Sequence, residues 1–238
     1  MTSGALAVIP ARGGSKRIPR KNIRHMSGRP LIVWVIEVAL SSGQFSEVIV
    51  STDDQEISKI ATEAGASVPF TRPSRLANDT ATTGEVMAHA VEFMSNNGLA
   101  RADVCCLYPS AIFIHPEDLT RSRELLHVAN QQDGLQYVMS VVEFPHPIQR
   151  ALRIGPDDVV DPVDPQFSST RTQDLEPRLH DAGQFYWGAA EAWLKMQDIV
   201  SSAKAYPMPR GRVVDIDTED DWLFAERIHS SNQKRPKG

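Results

Sequence analysis

Short apolar runs alternate with amphipathic ones along most of the chain, and that alternation limits what it can fold into. "ALAVI" (5–9), "EVIVST" (47–52) and "DVCCLY" (103–108) are near-continuous apolar stretches of strand length. Between them lie helical patterns. "PLIVWVIEVALSSG" (30–43) has Pro30 in its first turn and Gly43 as its stop. "DDQEISKIATEAG" (53–65) ends at Gly65, and "TTGEVMAHAVEFMSNNG" (82–98) forms a third. "PEDLTRSRELLHVA" (116–129) continues the alternation as helix and "LQYVMSVVEF" (135–144) as strand. Strands buried on both faces read as unbroken apolar runs, and strand–helix–strand order joins parallel neighbours. The pattern predicts an α/β fold with a mainly parallel sheet flanked by helices.

The rhythm breaks between Pro145 and Arg178, where Pro147, Pro156, Pro162, Pro165 and Pro177 interrupt any helical period. A loop this long inside a compact domain is usually functional or ordered by something else. The expectation is an excursion, 145–178, that packs on a partner subunit and gives a homodimer. The chain returns as "AGQFYWGAAEAWLKM" (182–196), a strand and a short helix. "RVVDIDTEDDWLFAERIHSS" (212–231) reads as a last strand and helix, and 232–238 as a disordered tail. With 238 residues, 41% of them hydrophobic, the whole of 1–238 can bury one core as a single domain.

Charge is distributed unevenly. From Arg12 to Arg29 there are seven Lys and Arg and no acid, although the chain carries 25 basic against 30 acidic residues. The core of this window, "IPARGGSKRIPRKN" (9–22), directly follows the first strand. Ligands of open α/β sheets bind beyond the carboxyl ends of strands. There the Gly13-Gly14-Ser15 turn lets backbone N–H groups approach phosphate oxygens, while Arg12 offers a planar fork and Lys16 and Lys21 point charges. A triphosphate is the anion this suits, against the alternative of a solvated basic loop. Neither G-x-x-x-x-G-K-[ST] nor G-x-G-x-x-G occurs. A net charge of −5 argues against nucleic acid as partner, which needs broad basic faces. No apolar run approaches the roughly 20 residues that span a bilayer, and no basic segment precedes the first one as a signal peptide requires. Cys105 and Cys106, adjacent in a strand, read as reduced core residues. A cytoplasmic protein is expected.

A second constellation is "DIDTEDDW" (215–222). On a strand, Asp215 and Asp217 face the same side, and paired carboxylates suit Mg²⁺, which shares its shell with substrate phosphates. Part of the segment has a simpler reading: Thr218 and Asp221 form a capping box, and Glu219 and Asp220 complement a helix dipole. That leaves Asp215 and Asp217 over.

The loop "IPARGGSKRIPRKN" resembles the signature of the CMP-sialic acid synthetases, the acylneuraminate cytidylyltransferase family, and the resemblance extends from about Leu6 to about Arg227. It implies a Rossmann-like nucleotide-diphospho-sugar transferase fold, with Arg12, Lys16, Lys21 and Asn22 on the triphosphate and ribose and the metal on Asp215 and Asp217. "RPSRLANDTATT" (72–83) is similar to the family loop that reads cytosine, which implicates Arg72 and Thr82. "LYPSAIF" (107–113) has Tyr108 where the family usually has Gln, a position that serves nucleotide or sugar. Beyond "HP" (146–147), Gln149 and Arg150 stand near an expected Lys, and Ala182 replaces an Asn. These departures cluster on the sugar side. "EFPHPIQRAL", "TRTQDLE" and "HDAGQFYW" resemble the pseudaminic acid branch, which implies Arg171 or Arg150 for the sugar carboxylate and His180, Gln184 and Tyr186 as further sugar contacts. For the aromatic Tyr186 a place in the core is the competing reading.

The activity implied is transfer of CMP from CTP to a nonulosonic acid with release of pyrophosphate. N-acetylneuraminate, legionaminate and Kdo remain alternatives to pseudaminic acid, and an inactive nucleotide-binding regulator is the alternative of a different class.

Overall fold

The computed structural model describes residues 4–233. In chain order the strands are β1 (Ala5–Pro10), β2 (His25–Met26), β3 (Arg29–Pro30), β4 (Phe45–Ser51), β5 (Asp103–Leu107), β6 (Tyr137–Glu143), β7 (Leu152–Ile154), β8 (Val160–Pro162), β9 (Leu179–Ala189) and β10 (Ala203–Pro207). The α-helices are α1 (Leu31–Ser41), α2 (Gln55–Glu63), α3 (Thr83–Asn96), α4 (Pro116–Val128), α5 (Ala190–Leu194) and α6 (Glu219–Gln233). Six strands form one sheet in the order β10-β6-β9-β5-β1-β4. β1 runs parallel to β4 and β5, and β10 parallel to β6, while β9 runs antiparallel between β5 and β6. The mainly parallel α/β sheet expected from the alternation is present, with one reversed strand.

The core lies on both faces of this sheet because successive side chains alternate. Ala5, Ala7, Ile9, Cys105 and Leu107 join a cluster with α1, α4 and α6, including the fully buried Trp187 and Trp222. Leu6, Val8, Val104 and Cys106 join the opposite cluster with α3 and α5. Both cysteines are buried and unpaired, on opposite faces, and burial pushes their thiols up. Capping fixes two helix starts. The Asp54 side chain accepts from the Glu56 and Ile57 N–H groups at α2, and Thr82 with Glu85 forms a capping box at α3.

The excursion joins β6 to β9, adjacent antiparallel strands, and its ends meet where the Phe144 N–H donates to the Arg178 carbonyl at 3.0 Å. Within it β7 and β8 pair antiparallel as a separate hairpin. Three expectations need correction. "AKAYP", unassigned from sequence, is the edge strand β10, where one-sided pairing tolerates Lys204 and Pro207. Residues 213–217, expected as a strand, pair with no strand of the sheet. Of the expected tail 232–238, α6 includes the first two residues and 234–238 lie outside the described residues.

Candidate active site

β1 ends at Pro10, and the basic loop begins beyond its carboxyl edge. Ile18, 1% exposed, pins the loop into the core, and the buried Asn22 closes it by donating from Nδ2 to the Arg12 carbonyl at 3.0 Å. The seven cations then divide by partner. Arg20 ties the outer loop to Asp54 and Glu56 at the start of α2. Arg24 pairs with Glu219 at 2.6 Å and lies over Trp222 at 4.4 Å, and Arg29 pairs with Glu37. Those three hold the fold. Arg12 and Lys16 instead converge on one exposed carboxylate, Asp79, at 2.8 and 2.5 Å. The Lys16 and Arg12 hydrogen bonds hold the Asp79 pKa below its ordinary value. Arg17 meets Asp217 at 2.7 Å, and Lys21 reaches Asp217 at 3.6 Å and donates to the Ile216 carbonyl at 2.7 Å. These four face a cavity of about 200 Å³, whose walls also include Ser15, Asn22, Tyr108 and Asp217.

The two glycines serve the loop differently from the sequence expectation. The Gly13 N–H donates to Asp53 at 3.0 Å, and a Cβ at Gly13 would come within 2.7 Å of Asp54. Gly13 is therefore required for close packing on the start of α2, and its N–H is already taken. A Cβ at Gly14 would meet nothing within 4 Å.

A contiguous cavity of about 210 Å³ is lined by Arg12, Arg72, Asn78, Thr82, Thr83 and Tyr108 among others. Arg72, 4% exposed, donates to the Ser51 hydroxyl at 3.0 Å and to the Ser51 carbonyl; burial lowers its pKa to about 10, so it stays cationic at neutral pH. The Tyr108 hydroxyl meets that of Thr83 at 2.5 Å, and its ring packs edge-on against Tyr186 at 5.7 Å. Thr83 was not singled out from sequence, since its contact depends on a partner 25 positions away.

On the other side of Asp215 opens a larger cavity of about 800 Å³. Its walls include Glu143, His180, Asp181, Arg210, Asp215 and Phe224. A bulge in β9 builds one wall. Val141 faces Asp181 and Met139 faces Tyr186, so Ser140 alone opposes Ala182 through Phe185. The Ser140 hydroxyl accepts from the Gln184 and Phe185 N–H groups, Gly183 takes φ +60°, and Asp181 accepts from the Gly183 N–H at 2.8 Å. The Tyr186 hydroxyl donates to Asp181, with the ring itself buried.

Asp215 and Asp217 stand at the seam of the two spaces. The same-side geometry expected of a strand arises without one: Val214 and Ile216, 7% and 0% exposed, point inward and leave both carboxylates outward. Asp217 opens on the smaller cavity and Asp215 on the larger. Lost hydration, then the Asp217 charge, raises the Asp215 pKa. Asp221 accepts from the Thr218 N–H at 2.8 Å and its own N–H donates to the Thr218 hydroxyl, which completes the expected capping box.

The structure gathers Arg12, Ser15, Lys16, Lys21, Asn22 and Tyr108 around one cavity, with Arg72 and Thr82 alongside and His180 across the seam. It separates others from these spaces. Gln149 is buried and donates to the Glu176 carbonyl at 2.8 Å, and Arg150 meets the Thr172 hydroxyl at 3.3 Å. Gln184, 1% exposed, donates to the Ala182 carbonyl. Arg171 and Tyr186 are outside the walls of both cavities. Asp79, Asp181 and Arg210 enter the site unannounced by any sequence signal beyond their loops.

A parallel-rich α/β sheet, cations gathered past its carboxyl edge and a carboxylate pair between two cavities define a nucleotidyltransferase class of site. The family model described as "Cytidylyltransferase" matches residues 6–199. The chain is 40% identical over 230 residues to a pseudaminic acid cytidylyltransferase of Campylobacter jejuni subsp. jejuni serotype O:2, covering 96% of this chain and 97% of that protein. It is 30% identical over 237 residues to a CMP-N,N'-diacetyllegionaminic acid synthase of Legionella pneumophila subsp. pneumophila, covering 96% and 97%. A solved structure of CMP:2-keto-3-deoxy-manno-octonic acid synthetase complexed with CTP superimposes with TM-score 0.68 at 18% identity, covering 97% of this chain and all of that one, which speaks to the fold. The chain belongs to the cytidylyltransferase family.

Proposed function

We propose that this cytidylyltransferase transfers CMP from CTP to a nonulosonic acid, with pseudaminic acid as the acceptor. The observation that carries the reading is the carboxylate pair, with Asp217 in the wall of a cationic cavity and Asp215 in the wall of a larger one of mixed character. The higher identity to a pseudaminic acid enzyme than to the legionaminic acid synthase supports the acceptor. In this reading Arg12, Lys16 and Lys21 hold the triphosphate, Ser15 and Asn22 shape its loop, and Arg72, Thr82 and Tyr108 flank the nucleoside end. The sugar acid occupies the larger cavity beside His180. The anomeric hydroxyl oxygen bonds to the α-phosphorus, the bond from that phosphorus to the bridging oxygen of pyrophosphate breaks, and the hydroxyl proton is released. The cationic loop stabilises the leaving pyrophosphate, so catalysis is positioning and electrostatics.

Asp215 and Asp217 fit a divalent cation such as Mg²⁺. Lost hydration, and after it the like charge of Asp217, raises the Asp215 pKa, a cost that a hard cation relieves. No cluster of three or more His, Cys, Asp and Glu suited to a metal occurs among the described residues, so further ligands would be phosphate oxygens and water, as Mg²⁺ prefers. The ion would supply neutralisation of phosphate charge.

A homodimer belongs to the same proposal. Leu152, Ile154, Val159 and Val160 on the β7–β8 hairpin are 58–77% exposed, an apolar face that a second copy would cover. A cytoplasmic setting is part of the same proposal; no helix among the described residues is long and apolar enough to cross a membrane. Pyrophosphate release from CTP, measured with a panel of nonulosonic acids, tests the reading; no release with any of them would end it.

A further inference from the structure

We infer that Arg210 binds the carboxylate of the acceptor acid. The inference rests on the proposed transfer of CMP to a nonulosonic acid and names a residue that performs it. In a 2-keto sugar acid the carboxylate carbon is bonded directly to the anomeric carbon, whose hydroxyl attacks phosphorus. The cation that holds the carboxylate must therefore stand on the acceptor side of the seam, close to where the α-phosphate arrives. Arg210 lines the same cavity as Asp215, five positions before it, and is the one Lys or Arg among that cavity's described walls.

Its setting is that of a receptor rather than a structural pair. Arg212, two residues on, points away, forks onto the buried Asp118 with Nη2 to Oδ1 at 3.0 Å, and donates to the Phe113 carbonyl at 3.4 Å. Upstream, the Met208 N–H donates to the Val141 carbonyl at 2.7 Å. The 3₁₀ turn Arg210–Arg212 is thus held at both ends, while the Arg210 guanidinium makes no ion pair or hydrogen bond with any described residue. A Cβ at Gly211 would meet nothing within 4 Å, so the backbone of the turn itself borders open space. Asp181 and Glu143 line the same cavity and repel a carboxylate, which leaves Arg210 as the place where the acid's negative end is stabilised. Arg171, which the family resemblance nominates, sits outside this cavity on the excursion.

The test compares the wild-type enzyme with Arg210→Met, Arg210→Lys and Arg171→Ala, using CTP and pseudaminic acid. Arg210→Met should raise the KM for the acid about ten- to hundredfold, the loss of a charge-assisted contact, with the CTP KM unchanged and Arg210→Lys recovering part of the loss. Calorimetric binding of pseudaminic acid to enzyme holding a non-hydrolysable CTP analogue should weaken in parallel. The acid's C1 carboxamide should be a poorer ligand than the acid for the wild type, and no poorer for Arg210→Met, a coupling that a structural role for Arg210 would not produce. Unchanged acid KM in Arg210→Met, an undiminished carboxamide penalty, or a loss confined to Arg171→Ala would overturn the inference and leave the proposed function standing. A wild-type enzyme that turns over no nonulosonic acid would overturn both.

Discussion

At the scale of single residues, the basic loop separates cations that hold the fold from cations that face the smaller cavity. Arg12 and Lys21 belong to the second group, and replacing either by Ala removes a charge-assisted phosphate contact, typically worth about 1.5–3 kcal/mol. Each variant should raise the CTP KM roughly ten- to hundredfold while leaving the KM for the acid unchanged, measured by steady-state pyrophosphate release. An unaltered CTP KM in both returns the loop to a solvated basic face. Asp217 meets Arg17 and Lys21 from the opposite wall and keeps 27% of its side chain exposed, so Asp217→Asn should leave the thermal midpoint near that of the wild type. Its turnover should fall by at least about a hundredfold at limiting Mg²⁺. Wild-type turnover there would remove the carboxylate pair from the mechanism. The sequence made the loop and both aspartates legible because they are contiguous strings with unusual charge. It was silent on Asp79, whose partners Arg12 and Lys16 are distant in the chain, and on Asp181 and Arg210, which the fold brings together in the wall of the larger cavity.

At the scale of elements, the segment 213–217 is positioned from outside itself. Without a ladder it depends on the buried Val214 and Ile216 and on the Arg212 fork to Asp118 in α4. Burial alone would raise the Asp118 pKa, but Arg212, the His115 N–H and the Tyr206 hydroxyl together hold it below the ordinary value. A carboxylate depressed in the folded state stabilises the fold above its unfolded pKa, and that contribution is lost as pH falls through the folded pKa. Arg212→Met strands a buried carboxylate and should cost about 3–5 kcal/mol at neutral pH, with the deficit shrinking in acid as Asp118 protonates. Urea denaturation of both proteins at neutral and acid pH checks this, and a pH-independent deficit contradicts it. Alternating apolar runs predicted β1, β4, β5 and β6 and the helices between them, since burial on both faces writes itself into composition. The edge strand β10 goes unassigned and 213–217 reads as a strand for one reason: a period-two pattern reports which side is buried and says nothing about whether a neighbour supplies hydrogen bonds.

At the scale of the whole molecule, the excursion lies between β6 and β9, and its exposed Ile154 and Leu152 belong to the apolar face on which the proposed dimer rests. Light scattering at micromolar concentration should give twice the 26.3 kDa chain mass, and Ile154→Asp should shift the population toward monomer. A wild-type mass of one chain would contradict the dimer. The proline-rich composition marked where this segment lies, yet its hairpin and the meeting of its ends depend on contacts that composition does not encode. The central claim concerns the whole assembly of two cavities around one carboxylate pair, and the most direct measurement is pyrophosphate release from CTP with pseudaminic acid and N-acetylneuraminate compared side by side. The account predicts efficient turnover of pseudaminic acid and poor turnover of N-acetylneuraminate, because a polar site built for one sugar leaves groups unpaired with the other. Equal kcat/KM on the two acids would contradict it.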